Sequence, residues 1–92
     1  MKKIFKYTLK ALDVQRLYLL TGSKLLSVEE QYGNIVVYAL VDDVQGGLDC
    51  FKIFVKRTGH PADDIDDSKF LGTVKLGEGK LMFHVFYRQV KK

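Results

Sequence analysis

In the stretch Val55-Lys56-Arg57-Thr58-Gly59-His60-Pro61, two cations, a turn glycine, a histidine and the only proline share one connection, which runs on into Asp63, Asp64, Asp66 and Asp67. An imidazole with cations upstream and carboxylates downstream can act as acid or base, or hydrogen-bond a ligand. The same residues also suit a structural turn, in which Gly59 supplies unusual dihedrals, Pro61 fixes the backbone and the imidazole bonds a nearby carbonyl. A hydrolase built on His60 and an aspartate would need a nucleophile or second base that the sequence does not offer, so no catalytic residue is assigned. Lys56, Arg57, His60, Asp63, Asp64, Asp66 and Asp67 are instead candidates for contacting a partner, because a loop held by a rigid sheet can present polar groups in fixed positions.

Other chemistry-bearing residues form weaker patterns. The aspartates suit a hard cation, but the calcium-loop pattern needs a turn glycine and a closing glutamate, and Lys69 and Val74 or Lys75 stand in those places. Gly77-Glu78-Gly79-Lys80 lacks the earlier glycine of a phosphate loop and has Leu81 where Ser or Thr is required, so it reads as a hairpin turn. Two histidines and the lone Cys50 do not make a spaced metal set, and His84, between Phe83 and Val85, reads as a satisfied sheet histidine. No metal and no cofactor is expected.

The elements that must carry these residues are strands. Phe5, Tyr7 and Leu9 alternate with more polar residues, as in a half-buried strand. A run from Leu25 to Glu30 is separated by Gly33-Asn34 from the run Ile35 to Val41, and such a pair supplies the positive φ of a tight hairpin turn. Asp42 to Asp49, with Gly46-Gly47, leads into Cys50 to Val55, and a last hairpin joins Phe70 to Leu76 with Lys80 to Val90 around Gly77-Glu78-Gly79. Between Ala11 and Leu20 two readings stay open: Ala11, Val14, Leu17 and Tyr18 share a helical face, while Arg16 to Leu19 suits a short strand. The fold expected is mainly β: a compact antiparallel sandwich or partly closed barrel of six or seven strands with at most one short helix, in a single domain over residues 1–92. The runs at 35–41 and 81–87 are apolar on both faces, which calls for a second sheet layer or for a homodimer or partner surface.

Composition narrows the class further. With 47% apolar and 28% charged residues in 92, the chain can build a core and is not of disordered type. A lone cysteine points to a reducing cytoplasm, and no apolar stretch approaches the roughly 18 to 20 residues of a membrane span. The formal charge of +4 is unevenly spread: residues 1–24 and 68–92 are basic, while 25–67 holds nine carboxylates against Lys52, Lys56 and Arg57. If the first and last strands are neighbours, Lys2, Lys3, Lys6, Lys10, Arg88, Lys91 and Lys92 merge into one basic region that would attract phosphate or an acidic protein surface. Terminal lysines that merely solvate a small protein give the same pattern.

The succession Lys3 to Tyr7, Ser23 to Val28, Tyr38 to Asp42, Phe51 to Phe54 with Thr58-Gly59-His60-Pro61, and finally Phe70 to Val74 with Phe83 to Phe86, resembles a family of short tailed-phage proteins of unknown function. Its Val55-Lys56-Arg57 segment looks longer and more basic than the connection usual there. The resemblance implies a phage or prophage origin, a setting in the host cytoplasm and no assigned catalytic residue. It leads to the expectation of a non-catalytic binding protein directed at a host protein, of the kind that inhibits a host enzyme or an anti-phage defence complex, as anti-CRISPR proteins do. The alternative is a nucleotide or nucleic-acid binder using Lys2, Lys3, Lys6, Lys10 and Arg88.

Overall fold

A computed structural model of the chain describes residues 1–10, 12–44 and 46–91. Ala11 and Lys92, which entered the helical-face and basic-region readings, lie outside the described residues. Seven strands follow one another: β1 (Lys2–Thr8), β2 (Val14–Leu20), β3 (Lys24–Gln31), β4 (Asn34–Asp42), β5 (Leu48–Arg57), β6 (Lys69–Leu76) and β7 (Leu81–Gln89). They form two antiparallel sheets, β1-β4-β3 (sheet A) and β2-β5-β7-β6 (sheet B), packed face to face. Among the described residues there is no helix, and none therefore that is long and apolar enough to cross a membrane. The ambiguous stretch is strand β2, because Leu17 and Leu19 face the core while Arg16 and Tyr18 face solvent, a period of two.

The core lies between the sheets. Val37, Ala39 and Val41 from β4 meet Phe51, Ile53 and Val55 from β5 and Val85 from β7, all buried. The double-sided apolar character of β4 thus has one half explained by the second layer. Val36, on its other face, is buried beside its cross-strand partners Thr8 and Glu29. The sandwich is tight along one side and open along the other. Where β3 faces β6, a Cβ on Gly72 would stand 2.8 Å from Val28 Cγ1, and both strands carry a register shift there, between Leu25 and Ser27 and between Phe70 and Gly72. On the opposite side β1 and β2 are not hydrogen-bonded, so the barrel does not close.

Two connections differ from the sequence expectation or extend it. The β3–β4 hairpin turns on Tyr32 and Gly33, with φ of 52° and 81°, rather than on Gly33-Asn34. Asn34 pairs with Gln31 as the first residue of β4, and Glu30 accepts a hydrogen bond from the Gly33 amide at 2.6 Å, which holds the tyrosine in its strained conformation. The second is residues 58–68. Because β7 lies antiparallel between β5 and β6, this segment must travel from the Arg57 end of the sheet back to the Lys69 end. Asp64 reaches Lys56, whose side chain is on the outer face of sheet B, so the segment runs over that outer face.

Candidate functional site

The register of β5 places Phe51, Ile53 and Val55 inward and Cys50, Lys52, Phe54 and Lys56 outward. Phe54 is nonetheless fully buried. Lys52, Lys56 and Arg88 lie over its ring at 5.6, 5.8 and 5.7 Å from the centroid, so the aliphatic stems of the cations and the 58–68 segment take the place of a third layer.

Lys56, a partner-contact candidate, is only 4% exposed. Its ammonium donates to Asp13 at 2.9 Å and lies 2.8 Å from Asp64. Burial acts to lower its pKa, yet the hydrogen bonds it donates to Asp64 and Asp13 together outweigh that and hold it above the ordinary lysine value. The hydrogen bond to Lys56 keeps the Asp64 carboxyl below its usual range. Lys56 and Asp64 are thus committed to each other, pinning the crossing segment to the sheet, whereas Asp63, Asp66 and Asp67 make no ion pair among the described residues.

Arg57 and His60 have a different setting. The His60 amide donates to the Arg57 carbonyl at 3.0 Å across a turn in which Gly59 has φ of 86°. Both side chains are exposed and sit at one end of the sandwich, where the sheets part over a cavity of about 360 Å³. Its apolar lining is Ile35 from sheet A, Val55, Leu76 and Phe83 from sheet B, and Leu9 and Leu12 from the connection between β1 and β2. Lys10 and Asp13 complete the rim with Arg57 and His60. Among the described residues Arg57 has no ion pair and no side-chain hydrogen bond. The cavity was not legible in the sequence, since it is assembled from the ends of four strands and from three connections. His84 lies elsewhere, on the outer face, with Thr58 Oγ1 2.7 Å from Nε2 and Thr73 Oγ1 3.0 Å from Nδ1. One nitrogen of a neutral imidazole donates and the other accepts, so this histidine is satisfied.

The basic residues do not merge as their sequence positions suggested. Lys2, Lys3 and Lys6 belong to β1 at the edge of sheet A, and Lys10 follows it, with Lys6 bonded to Gln31 at 2.6 Å. Arg88 is on β7 inside sheet B, where its cross-strand neighbour is Lys52 and the next is Arg16. The condition for one basic region, that the first and last strands be neighbours, is not met. Sequence reasoning left Arg16 and Lys52 out, and only the strand register brings them to Arg88.

No curated protein and no solved structure matches the chain. The family model described as a domain of unknown function, DUF7352, matches residues 1–92, and the chain belongs to that family.

Proposed function

We propose that this chain is a non-catalytic binding protein that grips its partner with the end cavity. The observation that carries the reading is Arg57, unpaired among the described residues and standing at the mouth of an apolar cavity of about 360 Å³. Cavities of about 300 Å³ and more are large enough to enclose a ligand group, and an apolar floor with one convergent cation selects an apolar side chain next to a carboxylate. Arginine beside such a pocket has the character of an interface hot spot. His60 and Lys10 add donors on the same rim, while Asp13 is occupied by Lys56. The resemblance to short tailed-phage proteins sharpens this to a phage-encoded protein acting in the host cytoplasm as an inhibitor of a host enzyme or of an anti-phage defence complex. Self-pairing through the exposed edge of β1 is disfavoured by Lys2, Lys3 and Lys6, which a second copy would bring against their own kind.

The test is capture of the partner from host cells by the tagged chain, with nuclease present, against the variants Arg57→Ala and His60→Ala. Each substitution should weaken partner binding by about tenfold or more, as hot-spot truncations do, and leave Tm unchanged because both side chains are exposed. Full retention of the partner by both variants, or loss of fold in either, overturns the assignment to this cavity.

A further inference from the structure

The outer face of sheet B holds a second arrangement that the end cavity does not explain. Arg16 on β2 stands directly opposite Lys52 on β5, and Lys52 directly opposite Arg88 on β7. Like charges in directly opposed cross-strand positions destabilise a sheet, and here two such pairs follow in one row. The relief within the chain is slight. Arg16 Nη1 donates to Cys50 Sγ at 3.4 Å, and Lys52 and Arg88 lie against the Phe54 ring. Among the described residues no carboxylate comes within 4.0 Å of any of the three charges. They line a groove of about 390 Å³ together with Lys91, and Asp67 is its one acidic residue. A fold that sets these cations against a single groove carboxylate, Asp67, has a place for an anion from outside.

Two aromatic side chains flank the row on the same face. Tyr18 is the next outward residue after Arg16 on β2 and is 57% exposed. Phe70, on β6 at the opposite edge, is paired with outward-facing Phe86 at 5.3 Å between ring centroids and is 58% exposed. The row itself spans three strands, about 9.6 Å at ~4.8 Å per spacing. We propose that this face binds single-stranded nucleic acid, with phosphates along Arg16, Lys52 and Arg88 and unpaired bases stacked on Tyr18 and Phe70. A duplex has no base faces to offer to those rings, and a bare anion has no use for them, so the combination of row and rings selects a single strand.

A labelled oligothymidylate of about ten nucleotides, within the site sizes usual for small β-sheet binders, gives the test by fluorescence anisotropy. Three phosphate contacts, or four with Lys91, predict a log–log salt slope of about −2 to −3. Arg16→Gln with Arg88→Met, which keeps an unbranched stem over Phe54, should cost at least about tenfold at low salt and flatten that slope, while Tm stays level or rises because cross-strand repulsion is removed. A merely structural role would move Tm the other way. Phe70→Ala or Tyr18→Ala should each cost about fivefold or more. Lys91→Gln, beyond the end of β7, should cost about threefold and serves if the double variant does not fold. Lys2→Gln with Lys3→Gln, at the edge of sheet A, should leave affinity nearly unchanged. Absence of binding at low salt overturns the proposal, as does equal loss in the Lys2 and Lys3 variant. Tighter binding of a duplex of the same length, or no effect of either aromatic substitution, also overturns it.

Discussion

Lys52 and Lys56 are two residues of the same type, four positions apart on the same face of β5, and both lie over the ring of Phe54 at 5.6 and 5.8 Å. The fold treats them in opposite ways. Lys56 is withdrawn from solvent and given two carboxylates, Asp13 from the entry to β2 and Asp64 from the crossing segment. Lys52 is left half-exposed and given two more cations, Arg16 and Arg88. A charge supplied with counter-charge is a fastening, whereas one supplied with more of its own sign is an attraction for something outside the chain. The end cavity falls on the second side of that division: Arg57 follows Lys56 directly but finds no carboxylate partner among the described residues.

The widest break in this comparison would come at the ring the two lysines share. Phe54 is fully buried beneath both, so Phe54→Ala should cost about 3 to 5 kcal/mol in urea unfolding. A cost below about 1 kcal/mol would mean that the ring is not a common foundation, and the two environments would need separate explanations. Asp13→Asn combined with Asp64→Asn separates them directly. It leaves the ammonium of Lys56 buried without counter-charge, and should cost about 2 to 3 kcal/mol, less than the about 3 to 5 of a fully enclosed pair because both carboxylates are half-exposed. Lys52→Gln should stay within about 0.5 kcal/mol of the parent. Equal losses at the two positions would erase the distinction.

The strands themselves were readable because alternation is a local signal: β1, β4, β5 and the β6–β7 hairpin follow from Phe5-Tyr7-Leu9, Ile35 to Val41, Cys50 to Val55 and Gly77-Glu78-Gly79. Turn chemistry misled by one position at Gly33, because Tyr32 accepts a positive φ once Glu30 ties down the Gly33 amide, a contact invisible in a propensity. The charges were the least legible. Arg57 and His60 drew notice for their types, but the cavity beneath them is made by Leu9, Ile35, Val55, Leu76 and Phe83, which are distant in sequence. The basic residues near the two ends of the chain looked like one region, and the structure sends β1 and β7 to different sheets. The row that does form depends on Arg16, Lys52 and Arg88 sharing a register, and register is set by packing across the whole sheet.

The smallest effect, and the one that sharpens the comparison most selectively, is in pH dependence. Asp64 has its folded pKa below the usual 3.8, chiefly through the hydrogen bond to Lys56, with Lys52 contributing last. Its share of stability is therefore fully present above 3.8 and disappears as pH falls through the lower folded value. Lys56 has its folded pKa above the usual 10.5, so its share is present below 10.5 and disappears as pH rises through the higher folded value. The difference in Tm between the parent and Lys56→Met should accordingly be level between those limits and shrink at both ends. The corresponding difference for Lys52→Met should shrink only slightly at the acid end, since Lys52 touches no carboxylate and acts on Asp64 from a distance. Thermal melts across the two ranges check this, and matching profiles for the two variants would show that proximity to Phe54, and not the pairing of charges, governs both lysines.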